Sequence, residues 1–378
     1  MFEFKILKKS KNSKARLGFI KTSYGVVETP CLVPVATQAV VKTLTSEQVL
    51  ETKTQILIAN TYHLHLRPGE EIVQKAGGLH KFMNWKKPLM TDSGGFQAFS
   101  LGFGKDLGMG KILKQKSNLK IKEGQQPKLL KISEDGVLFR SYLDGRKIFL
   151  GPKESIKIQE KLGTDIIFAF DECTSPVADY KYTKKSLFKT HKWAKTCLKT
   201  KKSNQALFGI VQGGKYKDLR IESAKFIGDL EFSGFGIGGE FGDDKKVMLR
   251  MINWVIKELP EKKPRHLLGI GYLEDIPKII KAGVDTFDCI VPTHYARRGI
   301  AYTFNGKIDF FKPSLLKDKN PIDRKCGCFV CQNYRRNYVC HLFRAGEITG
   351  MSLLTFHNLY FFNSFIEKIR ENIKRGKV

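Results

Sequence analysis

The amino-acid sequence predicts an α/β fold, a (β/α)8 TIM barrel followed by a small C-terminal subdomain. Eight short apolar runs alternate with stretches long enough for a helix, as expected of parallel strands joined by crossover helices. Polar residues and glycines follow the ends of separate runs, at the rim where barrel enzymes assemble their sites. An open, doubly wound sheet is the alternative, because short apolar runs can also be buried helix.

The predicted strands and the residues that end them account for this preference. The strands are CLVPVAT (31–37), ILIAN (56–60), PLMT (88–91), DIIFAF (165–170), LFGIV (207–211), FGIG (235–238), HLLGIG (266–271) and DTFDCIV (285–291). The residues at or just beyond their carboxyl ends are Asn60, Asp92, Asp171, Gln212, Gly238, Gly239, Gly269, Gly271 and Asp288. Their common position favours the barrel over the open sheet.

The 378 residues suffice for one barrel and one appended module. We expect a catalytic barrel over 1–300, with N-terminal strands and a long basic insertion near 103–131, and a subdomain with C-terminal helices over 301–378. The insertion reads as a solvated excursion or as a basic arm against phosphate. Two hairpins are predicted, SYLDGRKIFLGP (141–152), turning at Asp144–Gly145, and GIAYTFNGKIDF (299–310).

The charge balance favours nucleic acid as a partner. Lys and Arg number 66 against 37 Asp and Glu, a formal net charge of +29. So large a surplus repels itself unless a polyanion shares the surface, although a basic composition can also serve solubility alone. No run is long and apolar enough to cross a bilayer, and the first residues lack a secretory pattern. We therefore expect a cytoplasmic protein without membrane association.

Three cysteines crowd into C-x-C-x-x-C, at Cys326, Cys328 and Cys331. Three thiolates at this spacing can surround one ion, and sulfur-rich tetrahedral sites select zinc. A fourth ligand must follow, and Cys340, His341 and His357 all qualify. Unligated cysteines in a core are the alternative, although Lys325 and Gly327 make a poor core segment. Four protein ligands leave no position for water, so the predicted zinc is structural.

Three aspartates end three predicted strands: Asp92 in TDSGGFQ, Asp171 in FDECT and Asp288 in FDC. In a barrel they converge on one cavity. Paired carboxylates flanking an anomeric carbon are what glycosyl transfer requires, one as nucleophile and one as proton donor and acceptor. The ordinary alternative for any single aspartate is a helix cap or a turn residue.

Seven motifs in order, over roughly residues 15–365, closely resemble tRNA-guanine transglycosylase, the queuine tRNA-ribosyltransferase family, of bacterial type. They are ANTYHL (59–64), TDSGGFQ (91–97), FDECT (170–174), GIVQGG (209–214), GIGGE (236–240), FDC-x-x-PT (287–293) and the cysteine module. The resemblance implies a zinc-bearing (β/α)8 barrel. It also implies exchange of guanine at the first anticodon position of tRNA for a 7-deazaguanine base.

The resemblance implies a role for each matching residue. Asp288 is the nucleophile on the ribose, giving a covalent ribosyl-enzyme, and Asp92 is the general acid and base. The base-binding residues are Asp171, Gln212, Gly239, Cys173 and Phe96. Arg297, Arg298 and His294 are tRNA contacts. His357 becomes the fourth zinc ligand beside Cys326, Cys328 and Cys331. A homodimer is expected.

This chain departs from the family pattern at two places. Where the family reads Pro-Thr-Arg, the chain has His294 after Thr293, so one expected phosphate or base contact is either lost or replaced by Arg297 or Arg298. The glycine motif continues as GGEFGDD (238–244), with Glu240 and Phe241 in place of small apolar residues. At the third position beyond the glycine pair, family members that take queuine tend to carry glycine, and those that take 7-aminomethyl-7-deazaguanine tend to carry valine. This chain has Gly242, so the resemblance implies queuine.

Three other functions compete with base exchange. A non-catalytic tRNA-binding subunit of such an enzyme would lack the nucleophile, whereas Asp288 and Asp92 are both present. An archaeal-type activity on the tRNA core generally brings further C-terminal domains. A sugar hydrolase on a similar barrel leaves the zinc module and the charge unexplained.

Overall fold

The computed structural model describes residues 2–96, 130–141, 143–175, 178–238 and 245–378. Their strands in chain order are β1 (Glu3–Lys9), β2 (Arg16–Thr22), β3 (Gly25–Thr29), β4 (Cys31–Ala36), β5 (Leu57–Ala59), β6 (Leu89–Thr91), β7 (Leu130–Ile132), β8 (Val137–Arg140), β9 (Lys147–Leu150), β10 (Ile166–Phe168), β11 (Ala206–Val211), β12 (Gly234–Ile237), β13 (Arg265–Leu267), β14 (Thr286–Cys289), β15 (Ile300–Thr303) and β16 (Gly306–Asp309).

Eight of these strands form a closed parallel barrel in the order β10, β11, β12, β13, β14, β4, β5, β6. Each predicted apolar run overlaps one barrel strand, although β11, β12 and β13 begin one residue earlier than predicted. Closure comes from β14 pairing with β4, where Phe287 lies opposite Leu32 and Asp288 opposite Val33. The (β/α)8 prediction is therefore confirmed, and the open sheet is excluded because its two edges would remain unpaired.

Helices surround the barrel and extend into the C-terminal region. They are α1 (Ser46–Glu51), α2 (Thr61–Leu66), α3 (Glu70–Lys75), α4 (Leu79–Phe82), α5 (Pro152–Leu162), α6 (Tyr180–Thr200), α7 (Lys217–Gly228), α8 (Lys245–Glu258), α9 (Ile276–Lys281), α10 (Val291–Ala296), a 3-10 helix (Pro313–Lys317), α11 (Phe329–Asn333), α12 (Arg336–Ala345) and α13 (Ile348–Lys374). Local chemistry sets their ends. Pro152 opens α5, and Gly163 closes it in the left-handed region at φ 70°.

The N-terminal sheet β1–β3 closes one end of the barrel. Ile20 and Val27 are fully buried and belong to the same apolar cluster as the inward-facing Val33 and Phe208. The Phe2 ring meets the Phe208 ring edge to face at 5.8 Å between centroids. Because β3 leads directly into the amino end of β4, this is the amino-terminal end of the barrel. The rim at the carboxyl ends of the strands is left for a site.

The last helix, α13, returns to the barrel from the C-terminal region. The Ser352 hydroxyl donates to the Thr43 carbonyl at 2.7 Å, and the Asn363 amide donates to the Thr52 carbonyl at 2.8 Å. Near its end, Arg370 donates to the Pro30 carbonyl at 2.9 Å. The region 301–378 is therefore anchored along the side of the barrel that carries β4 and α1.

Both predicted hairpins are present, one of them shifted. The turn at Asp144–Gly145 is confirmed, since the Gly145 N–H donates to the Ser141 carbonyl at 2.9 Å. The first strand was placed too late, because it runs over Val137–Arg140 and not from residue 141. Strands β15 and β16 form the second hairpin. The basic insertion lies outside the described residues except for its end at β7.

Within the described ranges, none of the helices is both long and apolar enough to cross a membrane.

Candidate active site and metal cluster

Four of the predicted site residues lie on one rim of the barrel. Asp92 directly follows β6, Asp171 comes three residues after β10, Gln212 directly follows β11, and Asp288 lies in β14. The barrel strands are parallel, so their carboxyl ends share one rim. Residues distant in the sequence thus reach the mouth that the N-terminal sheet leaves open.

Asp92 is held by the chain around the ends of β5 and β6. The Asn60 side-chain amide donates to Asp92 Oδ2 at 2.5 Å, while Asn60 Oδ1 caps α2 by accepting from the His63 N–H. The N–H groups of Thr61 and Gly94 donate to Asp92 Oδ1 at 3.0 and 3.1 Å. These three donors orient the carboxyl group. Asp92 therefore acts as a turn residue, by accepting from nearby backbone N–H groups, and also lies at the rim.

Asp171 is almost completely buried, with 5% of its surface exposed. It accepts from the Ser93 hydroxyl at 3.1 Å and from the Gln212 amide nitrogen at 2.6 Å. A Cβ at Gly95 would lie 2.8 Å from the Asp171 carbonyl oxygen, so only glycine lets these two loops come so close. Rim residues from β6, β10 and β11 are therefore linked in one hydrogen-bonded group.

Two further residues predicted to bind the base follow these loops. Phe96 is half-buried and packs against the main apolar core. Cys173 lies two residues beyond Asp171 and is buried, with 9% exposed. Gly239, the remaining residue of that set, lies outside the described residues, as do Glu240, Phe241 and Gly242.

Asp288 is held from the neighbouring strand. The Gly269 N–H donates to Asp288 Oδ1 at 2.7 Å, and His266 Nε2 lies 3.2 Å from the same oxygen. His266 is completely buried, and its Nδ1 lies 2.9 Å from the Thr286 hydroxyl. Sequence reasoning missed His266. Its signal was a polar residue opening an otherwise apolar run, which gains meaning only once β13 and β14 are in register.

Arg220 is a second residue that sequence reasoning missed. Its side chain is completely buried in α7, beneath the ends of β11 and β12. It donates to the carbonyls of Gly214 at 2.8 Å and Gly238 at 2.6 Å. It therefore ties the segment after Gln212 to Gly238 at the end of β12. An arginine between two predicted strands gives no sequence signal for such a position.

The residues predicted to contact tRNA lie in and just after α10, which follows β14. Arg298 is exposed, while Arg297 is half-buried and donates to the Thr293 carbonyl at 2.8 Å. Desolvation, with the charge of Arg298 adding, lowers the pKa of Arg297. His294 is half-buried and meets the Tyr295 ring edge to face. All three lie within ten residues of Asp288 along the chain.

The cysteine module forms a compact metal-binding cluster with α13. One ligand atom from each of four residues lies within 4.8 Å of every other; these residues are Cys326, Cys328, Cys331 and His357. The His357 Nε2 donates to the Tyr302 carbonyl at 2.8 Å, which turns Nδ1 toward the sulfurs. Of the three candidates for the fourth ligand, His357 is thus the one present. Cys340 Sγ instead faces the Lys312 carbonyl, and His341 is exposed.

The crowding of the thiols prepares the cluster for a cation. Hydrogen bonds from Cys326 and Cys331 lower the pKa of Cys328 to about 4. Hydrogen bonds with Cys326 and Cys328 raise the pKa of Cys331, and burial and the charge of a neighbouring thiolate add to this. A bound cation relieves this repulsion and allows all the sulfurs to ionise together. The cluster can therefore hold a metal ion.

Comparison with known proteins places the chain in a family. A family model described as queuine tRNA-ribosyltransferase matches residues 10–378. The queuine tRNA-ribosyltransferase of Natranaerobius thermophilus is 47% identical over 367 residues, covering 96% of this chain and 92% of that protein. That of Caldanaerobacter subterraneus is 46% identical, covering 100% and 94%. A putative queuine tRNA-ribosyltransferase of Archaeoglobus fulgidus is 46% identical, covering 96% and 94%. The chain therefore belongs to the queuine tRNA-ribosyltransferase family of pentosyltransferases.

Proposed function

We propose that this enzyme is a tRNA-guanine transglycosylase acting at the wobble position of G-U-N anticodons, in tRNAs for aspartate, asparagine, histidine and tyrosine. It replaces guanine with a 7-deazaguanine in queuosine biosynthesis or salvage. One observation carries the proposal: three carboxyl groups, those of Asp92, Asp171 and Asp288, lie at the same rim of a barrel whose other end is closed.

Asp288 is the nucleophile in this proposal. One of its oxygens forms a bond to C1′ of the ribose while the C1′–N9 bond breaks and its electron pair stays on guanine. The incoming base then attacks C1′ through N9, and the electrons of the ester bond return to Asp288. The hydrogen bond from the Gly269 N–H supports this role because it holds the carboxylate in one orientation.

Asp92 moves the proton in both half-reactions. Its acid form gives a proton to the departing guanine, and the resulting carboxylate takes the N9 proton of the incoming base. The Asn60 amide and the Thr61 N–H keep Asp92 in place while its charge changes. Protons therefore balance over the exchange, and one carboxyl group serves as both acid and base.

Base recognition is proposed for Asp171 and its neighbours. The Asp171 carboxylate accepts from the N–H groups of the guanine edge, and Gln212 and the Gly239 amide donate to its carbonyl. The Gln212 amide nitrogen has two hydrogens, so it can donate one to Asp171 and the other to the base. Phe96 stacks on the ring and Cys173 lines the pocket. Adenine would leave these buried groups unpaired.

The incoming base is proposed to be queuine, on the basis of Gly242. A competition between queuine and 7-aminomethyl-7-deazaguanine tests this choice. Equal or better incorporation of the aminomethyl base would argue against it.

The anticodon arm supplies the anionic partner for the net charge of +29. Arg298 and Arg297 are proposed to contact its phosphates, with His294 beside them. The wobble guanine of the tRNA must leave its stack on the neighbouring bases to reach the rim of the barrel. We further propose that the chain acts in the cytoplasm as a homodimer, with a barrel over 1–300 and a metal-bearing subdomain over 301–378.

Zinc is the metal proposed for the cluster of Cys326, Cys328, Cys331 and His357. Three sulfurs and one imidazole nitrogen match the donors that zinc prefers, and ligand atoms within 4.8 Å of one another suit a tetrahedral ion. Bound there, zinc supplies a structural cross-link between the loop at 326–331 and α13. With four protein ligands it has no open position for substrate.

Trapping of the covalent intermediate tests the proposed function. The wild-type chain, incubated with a G-U-N tRNA labelled in its guanine, is expected to release label and to form an RNA–protein adduct stable to denaturation. Asp288→Asn is expected to do neither, while Asp229→Asn, an exposed aspartate at the end of α7, behaves as wild type. Release of label by Asp288→Asn would refute the proposed nucleophile. Binding of tRNA by the wild type without release would identify a non-catalytic tRNA-binding subunit.

A further inference from the structure

His266 and Asp288 lie side by side on the neighbouring strands β13 and β14. His266 pairs in register with Thr286, and Asp288 follows two residues later on the same face of β14. His266 Nε2 lies 3.2 Å from Asp288 Oδ1, the oxygen that also accepts from the Gly269 N–H at 2.7 Å. His266 is completely buried. One oxygen of Asp288 is therefore held from two sides.

The hydrogen-bond partners determine which ring nitrogen carries the hydrogen. An ionised carboxylate can only accept, so Nε2 of His266 must donate to Asp288. In a neutral ring Nδ1 is then an acceptor, and the Thr286 hydroxyl, 2.9 Å away, donates to it. The Phe168 ring packs against the imidazole, with 5.3 Å between the centroids. The order Thr286 to His266 to Asp288 thus fixes both tautomer and ring orientation.

We propose that His266 is a positioning residue for base exchange, an inference that rests on the proposed role of Asp288. By holding Oδ1, it presents Oδ2 to the ribose. In the first half-reaction the Oδ2–C1′ bond forms as C1′–N9 breaks. In the second, N9 of the incoming base bonds to C1′ and the Oδ2–C1′ electrons return to the carboxylate. The N–H group of His266 then stabilises the carboxylate of Asp288 that this second step releases. His266 itself neither gives up nor gains a proton in either step.

A second buried histidine–aspartate pair provides a matched comparison. His80 Nε2 lies 3.1 Å from Asp165 Oδ2, and His80 is 4% exposed. Asp165 precedes β10, at the amino-terminal end of the barrel, away from the rim. A purely structural contribution of such a pair should appear equally at both sites. An effect on the chemical steps should appear only at His266.

The experiment uses three variants at the site and one control. His266→Phe removes the donor, whereas His266→Gln keeps an amide N–H where Nε2 lies. Thr286→Val removes the hydroxyl that sets the tautomer, without touching the carboxylate, and remains informative if His266→Phe does not fold. His80→Phe is the control. Single-turnover formation and decay of the RNA adduct, steady-state kcat and KM for tRNA, and thermal unfolding are measured for each.

We expect His266→Phe to slow adduct formation and its decay by the incoming base ~10²-fold, since a nucleophile displaced by about 1 Å costs that much. KM for tRNA should change less than about twofold, because the phosphates are bound elsewhere. His266→Gln should recover most of the rate, and Thr286→Val should lose roughly threefold to tenfold. His80→Phe should lower the unfolding temperature and leave both rates unchanged.

Several results would overturn the inference. The inference would be wrong if His266→Phe formed and lost the RNA adduct at the wild-type rates. If His266→Phe does not fold, wild-type rates in Thr286→Val would have the same consequence. A His266→Gln variant as slow as His266→Phe would show that ring shape, and not the donor, matters. Equal slowing by His80→Phe would reduce the effect to stability. If Asp288→Asn still exchanged guanine, the proposed role of Asp288 as nucleophile would fail, whatever the His266 variants did. If the wild type released no guanine at all, the proposed function itself would fail.

Discussion

The Gln212 side-chain nitrogen lies 2.6 Å from Asp171 Oδ2, joining the end of β11 to the loop after β10. Both side chains are buried, with 3% and 5% of their surfaces exposed. A buried carboxylate needs hydrogen-bond donors, and Gln212, at the end of the neighbouring strand, supplies one to Asp171. This hydrogen bond fixes the direction in which the Asp171 carboxylate faces.

We expect Gln212→Leu to raise KM for guanine in the exchange reaction by roughly tenfold to 10²-fold, because it removes a donor both to Asp171 and to the base. Gln205→Leu is the control at the opposite end of the same strand region, where the amide donates to the Gln159 and Thr164 carbonyls. It should lower stability and leave KM for guanine unchanged. An unaltered KM in Gln212→Leu would exclude this residue from base binding.

Arg220→Met should lower the free energy of unfolding by about 3 kcal/mol, since it orphans the buried Gly214 and Gly238 carbonyls at roughly 1–3 kcal/mol each. It should also raise KM for guanine, because Gly238 precedes the proposed base contact Gly239. Urea unfolding and exchange kinetics measure the two effects. Arg250→Met, at an exposed position of α8, is expected to cost less than about 0.5 kcal/mol. An equal loss of unfolding free energy in the two variants would contradict the stabilising role of the Arg220 contacts with Gly214 and Gly238.

Removal of the metal should lower the stability of the region 301–378 while the barrel remains folded. Cys328→Ser is expected to lose bound zinc, measured by elemental analysis, and to lower the unfolding temperature, because metal affinity contributes to folding. Cys340→Ser changes a buried cysteine whose sulfur faces the Lys312 carbonyl and lies outside the cluster. It should retain one zinc per chain. Zinc loss in Cys340→Ser alone would invalidate the assigned ligand set.

The barrel was predictable from the sequence because strands buried on both sides leave near-continuous apolar runs, as in LFGIV of β11. The shared rim position of Asp92, Asp171 and Asp288 was predictable because Asp92 and Asp171 directly follow such runs and Asp288 lies near the carboxyl end of one. The fourth metal ligand was not settled by spacing. Cys340 and His341 lie closer along the chain than His357, but α12 directs the Cys340 sulfur elsewhere.

Long-range register decides what the sequence could not show. His266 faces Asp288 only because β13 and β14 pair with His266 opposite Thr286. Arg220 acquires its partners only when α7 packs beneath two strand ends. The first hairpin was misplaced because the predicted segment began at Ser141, whereas its first strand runs over Val137–Arg140, with Arg140 opposite Lys147.

Arg298→Ala should weaken tRNA binding and reduce its salt dependence. Loss of one phosphate contact is expected to flatten the slope of log K against log salt by about 0.7 to 0.9. Lys21→Ala is the control, an exposed cation on β2 at the closed end of the barrel. It should leave the slope unchanged. Binding titrations at several salt concentrations measure both, and equal slopes for wild type and Arg298→Ala would place the RNA elsewhere.

His191 should make the fold sensitive to acid. Burial, with the charge of Lys195 adding, lowers the pKa of His191 from 6.5 to about 4. The unfolded chain therefore binds more protons than the folded chain between these values. The associated stability is fully present above pH 6.5 and is lost as pH falls toward 4, a loss of up to about 3 kcal/mol at 1.36 kcal/mol per pKa unit.

The His191→Gln variant isolates this contribution. The His191 ring contacts the Ser223 hydroxyl at 3.3 Å, and that hydroxyl accepts from the Gln212 N–H, so acid unfolding should begin beside the rim. We expect the free energy of unfolding, measured with urea, to fall more steeply in the wild type than in His191→Gln as the pH is lowered from about 6.5 to about 4.5. At neutral pH the variant should be the less stable of the two, because it gives up the His191 stack on Phe226. Parallel pH curves for the two proteins would show that His191 does not titrate on unfolding.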